Sequence, residues 1–74
     1  MTFYEYMIEN YLGQDTAEGD LAEDMYQAGI CFPSGGHRQI RTYLVRQGAC
    51  PECLLTFERC WRDYKVSWER RWNG

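Results

Sequence analysis

The chain has 74 residues, a net charge of −3 and 12 aromatic residues, so it holds one domain over residues 1–74, near the lower size at which a single core folds without staples. It contains no apolar run long enough to span a membrane and no basic start with an apolar core of the export-signal kind, so a cytoplasmic chain with four free thiols is expected. The charge is divided unevenly: residues 1–37 carry −7 and residues 38–74 carry +4, because every Lys and Arg follows His37 while seven of the eleven acids precede it, and such a split bears on partners more than on fold.

Taken in order, Thr2 followed by Glu5 is a capping-box pattern that opens a first helix ending near Leu12 at Gly13. Phe3, Tyr4, Met7, Ile8, Tyr11 and Leu12 form a broad apolar arc there, which predicts burial on more than one side. Gly13 to Gly19 reads as a polar loop, and Asp20 with Glu23 predicts a short second helix over 20–28, with Leu21, Met25 and Ala28 inward and Gly29 as its stop. Ile30, Cys31, Phe32 and Pro33 then read as an extended apolar connector with Phe32 as a core anchor. After the Ser34-Gly35-Gly36 turn, Ile40, Tyr43 and Leu44 give a third helix over 37–47 its buried face, and Gly48 closes it.

The last and longest stretch is the one the others pack on. At about 100° per residue, Cys50, Cys53, Leu54, Phe57, Cys60, Trp61, Tyr64, Trp68 and Trp72 fall on one side of a single helix, and Pro51 suits its first turn. Leu55 and Val66 lie well off that stripe, and residues 66–74 read as a helical extension. The fold class expected is all-α, a compact four-helix bundle with a long C-terminal helix.

Phe3-Tyr4-x-Tyr6, Gly19-Asp20-Leu21-Ala22-x-Asp24, Phe32-Pro33, Ile40-x-x-Tyr43-Leu44, Gly48-Ala49-Cys50 and Phe57-x-x-x-Trp61-x-x-Tyr64, in this order and spacing, resemble the YozE-type family of small bacterial proteins with a sterile-alpha-motif-like (SAM-like) fold. The resemblance implies a four-helix SAM-like bundle in a bacterial cytoplasm, most often in Gram-positive lineages, with no established biochemical function and no catalytic residues to transfer. Two features depart from the family pattern: Ser34-Gly35-Gly36 replaces a more charged turn, and the tail from Val66 to Gly74, with Trp68 and Trp72, runs past the family core.

Cys50-Pro51-Glu52-Cys53 is the one motif that invites chemistry. With Cys60 and either His37 or Cys31 it would make a four-ligand zinc site, and alone it would be a redox dithiol at a helix N-terminus. No second close pair and no βαβ context accompany it, and Cys50, Cys53 and Cys60 share the stripe of Phe57 and Trp61, so buried core thiols are the favoured reading and no metal or cofactor is assigned. His37, the single histidine, is expected in solvent. Asp15, Glu18, Asp20, Glu23 and Asp24 lack the ligand order of a calcium loop and read as a solvated face with caps. The hydroxyl residues have no nucleophile elbow, and Gly35-Gly36 lacks the lysine of a phosphate loop, so neither an enzyme nor a small-molecule substrate is expected.

Two classes of partner remain. The first is protein: Glu9, Asp15, Glu23 and Asp24 of one molecule facing Arg38, Arg41, Arg59 and Arg62 of another copy or another protein. The second is nucleic acid on the basic faces of the third and fourth helices, which the pI near 5.0, the interrupting acids and the missing recognition-helix motif all oppose. A zinc-stabilised domain is the third reading.

Overall fold

The computed structural model describes residues 1–73, with side chains for residues 1–69. Four α-helices, α1 (Phe3–Tyr11), α2 (Ala17–Ala28), α3 (His37–Arg46) and α4 (Pro51–Asn73), are joined by short turns, and a 3-10 turn (Gly29–Cys31) follows α2. No strand occurs among the described residues. The side chain of Trp72, expected on the stripe of the fourth helix, and Gly74 lie outside the described residues.

Each boundary has a local cause. Thr2 Oγ1 accepts the Glu5 N–H at 3.1 Å and donates to Glu5 Oε1 at 3.2 Å, so the two side chains hold each other at the start of α1. The second helix begins earlier than Asp20: Thr16 Oγ1 accepts the Gly19 N–H at 3.0 Å and caps a helix one turn longer than the Asp20–Glu23 pattern predicts. Gly19 is therefore a buried helical residue, not the end of a loop. A Cβ there would stand 2.0 Å from the Gln14 carbonyl oxygen, so the 13–16 turn crosses α2 at a point only glycine permits. The α3 terminus is a Schellman motif in which Ala49 N–H donates to Leu44 and Gly48 N–H to Val45, both at 3.0 Å, with Gly48 at φ 83°.

The long helix is the spine, and α1, α2 and α3 all pack on it, as its stripe predicts. Phe57, fully buried, lies in its first half, and Phe3 meets it edge-on at 5.5 Å between ring centroids. Phe3 also meets Trp61 at 5.2 Å and Tyr64 at 5.6 Å, and the Tyr64 hydroxyl donates to the Met1 carbonyl at 2.7 Å, which ties the chain start to the second half of α4. The broad arc of α1 is used on two sides, against α2 and against α4. Phe32 is the expected anchor: it is buried, with Tyr4 at 5.9 Å and Tyr43 at 5.3 Å. Ile30 is not part of that connector's apolar face, because the 3-10 turn leaves it fully exposed.

The cysteines divide. Cys60 is buried as expected and Cys53 half-buried, but Cys50, which precedes the first residue of α4, is exposed. Burial pushes the Cys60 thiol up to about 11, with Glu18 and Asp63 adding to the rise and Arg59 opposing it. Thr56 is buried inside α4 without cost in hydrogen bonding, its hydroxyl donating to the Glu52 carbonyl at 3.0 Å.

Candidate interaction surface

All eight charged residues expected to meet a partner are exposed: Glu9 on α1, Asp15 in the following turn, Glu23 and Asp24 on α2, Arg38 and Arg41 on α3, and Arg59 and Arg62 on α4. Seven of them have no ion-pair partner among the described residues, and Arg59 is the exception. Its Nη2 donates to Glu18 Oε1 at 3.3 Å and lies 3.5 Å from Thr56 Oγ1, so part of its charge is used inside the molecule, where α2 meets α4.

The basic residues occupy two places rather than one. Arg59 and Arg62 border an open groove between the α2 N-terminus and α4, with Ala17 and the largely exposed Leu55 as its apolar part and Glu52 and Glu58 on its rim. No residue of α3 lines that groove. The seam between α3 and α4 carries instead a polar contact between His37 Nε2 and the Glu58 carboxylate. His37 is thus half-buried instead of solvated: its ring meets Phe57 at 5.2 Å and Trp61 at 5.5 Å.

Arg41 follows His37 by about one helical turn on α3, and Arg62 follows Glu58 by about one turn on α4. Glu58 therefore puts a carboxylate among the basic residues of α3 and α4. Position in sequence missed the pairing of His37 with Glu58, since the two residues are 21 apart and neither belongs to a motif. Leu55, by contrast, was legible as an apolar residue off the stripe.

A second cleft lies between α2, Phe32 and the α3–α4 turn, where Asp24, Tyr43, Cys50 and Cys53 are among the lining residues. Among the described residues no group of three or more His, Cys, Asp or Glu side chains converges as a metal site. Cys60 lies two turns beyond Cys53 along α4, about 10 Å, so the four-ligand set imagined from Cys50, Cys53, Cys60 and His37 or Cys31 is not assembled. No helix among the described residues is long and apolar enough to cross a membrane.

With this geometry in hand, comparison with known families gives one match: residues 2–66 fit the family described as YozE SAM-like fold. The chain belongs to the YozE SAM-like family. The match covers α1, α2, α3 and α4 as far as Val66, and ends where the sequence was expected to run past the family core. No curated protein and no solved structure matches the chain. In the YozE SAM-like chain the segment beyond the match includes Trp68, which is 47% exposed and borders a small recess with Met1, Tyr6 and Tyr64.

Proposed function

We propose that this small helical module works by protein–protein association, with the acidic surface of α1 and α2 on one molecule facing the basic residues of α3 and α4 on another copy or another protein. The observation that carries the reading is the exposure of Glu9, Asp15, Glu23 and Asp24 on one side of the charge split and of Arg38, Arg41 and Arg62 on the other, with no internal ion pair to neutralise any of them among the described residues. Surfaces of opposite sign steer encounter and fix register more than they add affinity, so the association is salt-dependent. Head-to-tail contact between copies uses both surfaces at once and leaves one of each at the ends.

Native mass spectrometry of the reduced protein at two ionic strengths tests it. The expected result is a dimer or ladder at low salt that recedes at high salt and is lost in the Arg38→Glu/Arg41→Glu double variant. If the double variant keeps both the oligomeric state and every captured protein partner, the reading fails. Nucleic-acid binding is the weaker reading: Glu58 puts a carboxylate among the basic residues and the chain is acidic overall.

A further inference from the structure

The C-x-x-C is left unused by the association just described, and its two cysteines stand in different surroundings. Cys50 is exposed, at the turn into α4, whereas Cys53 is half-buried on the first turn of that helix. The Leu54 N–H donates to the Cys50 carbonyl at 3.1 Å, so Cys50 already holds the capping position of the helix. Helix geometry places Cα atoms three residues apart at a separation of about 5 Å. That lies within the range of about 4.4–6.8 Å that a disulfide bridges. At that Cα separation a disulfide across the first turn of α4 is within reach, and Pro51 between the two cysteines suits the first helical position.

Both sulfur-bearing residues line the cleft between α2 and the α3–α4 turn, together with Asp24, Met25, Phe32 and Tyr43. Burial raises the Cys53 thiol above its ordinary value, with Cys50 and Asp24 adding to the effect. The half-buried partner is thereby held back while the exposed one meets reagents first. The other two cysteines lack this arrangement: Cys31 is exposed with no cysteine near it in sequence, and Cys60 is buried.

We propose that Cys50 and Cys53 are a redox-active dithiol that exchanges with low-molecular-weight disulfides. Cys50 attacks one sulfur of the small disulfide as its thiolate, forming a mixed disulfide and releasing one thiol. Cys53, after losing its proton, then attacks the Cys50 sulfur and expels the second thiol. The two protein thiols are oxidised to one disulfide, and the small disulfide is reduced to two thiols. Closure removes the exposed thiol from the mouth of the cleft and cross-links the turn to the first turn of α4.

The test uses the folded full chain and oxidised glutathione as the probe, followed by acid quench, alkylation of the remaining thiols and trypsin. Cleavage after Arg38, Arg46, Arg59 and Arg62 separates the cysteines: Cys31 falls in residues 1–38, Cys50 and Cys53 together in 47–59, and Cys60 in 60–62. The expected result is a 47–59 peptide that has lost two hydrogens and carries no alkyl group, at least about tenfold in excess over the same peptide carrying glutathione. Cys31 stops at the mixed disulfide and Cys60 is found alkylated. In Cys53→Ser the glutathione adduct of Cys50 accumulates, with helical circular dichroism confirming the fold. A wild-type 47–59 peptide that stops at the glutathione adduct, or that closes only in urea, overturns the proposal, and this readout does not depend on any variant folding.

Discussion

Arg59 reaches from α4 to Glu18 on α2, Nη2 to Oε1 at 3.3 Å, and so joins the two oppositely charged halves of the chain within one molecule. Both groups keep substantial exposure, 58% for Arg59 and 28% for Glu18, so the pair is screened by solvent and salt. Arg59→Ala is expected to lower stability by under about 1 kcal/mol in urea unfolding, and the difference should shrink at high salt. The Arg38→Glu/Arg41→Glu variant should show the reverse pattern, an unchanged unfolding midpoint with lost association. A large loss of stability in that double variant would mean that α3 uses these arginines to fold.

Phe57 has no exposed surface and touches three partners drawn from three elements: Phe3 of α1, His37 of α3 and Trp61 one turn along α4. Removing its ring leaves a cavity at the point where the helices meet. Phe57→Ala is expected to cost about 3–5 kcal/mol. A domain of this size holds little beyond that in total, so the variant should be substantially unfolded at room temperature by circular dichroism and urea titration. Leu55→Ala, two positions earlier but largely exposed, should stay within about 0.5 kcal/mol of the wild type.

Helical glycines away from close contacts ordinarily gain stability when replaced by alanine, by about 0.5–1 kcal/mol. Gly19 should do the opposite. Its missing Cβ would meet the Gln14 carbonyl at 2.0 Å, backbone against backbone, so either α2 or the turn before it must move. Gly19→Ala is expected to lower the urea midpoint, while Gly36→Ala, at φ −83° with nothing within 4 Å, should leave it nearly unchanged. Equal midpoints for the two variants would mean that the turn yields freely.

What the sequence made legible follows from range. The stripe of α4, the Thr2 cap, the Gly48 stop and the Phe32 anchor are each set by residues within a few positions of one another, where periodicity and capping rules apply. The α2 start was misplaced because Asp20 with Glu23 offers as good a cap as Thr16 when neighbours alone are weighed, and only the fold of the 13–16 turn onto Gly19 decides between them. Cys50 was placed in the core because periodicity marks a side of the helix and not how far along it the other helices reach. The charged site was legible as exposed groups but not as an arrangement: Arg59 with Glu18 and His37 with Glu58 are separated by 41 and 21 residues, and each subtracts from the surface that composition alone suggests.

Stability at alkaline pH tests the buried thiol. Burial pushes the Cys60 thiol of the folded chain up to about 11, against a value near 8.5 expected when it is exposed in the unfolded chain. A group of this sign favours the fold while both states hold the proton, so its contribution is complete below about pH 8.5 and is lost as the unfolded chain deprotonates first. The groups that face it are Glu18 and Asp63, whose negative charge adds to the effect, and Arg59, which reduces it. Cys53 shifts in the same direction, and so does Tyr11, through burial and its hydrogen bond with Tyr6. The urea midpoint should therefore fall between pH 8 and pH 10, with the Tyr11 part appearing mainly above about pH 10. Cys60→Ala should start lower because it leaves a small cavity, and it should decline less steeply across the same interval. A decline as steep as that of the wild type would assign the pH dependence to the other thiols and not to Cys60.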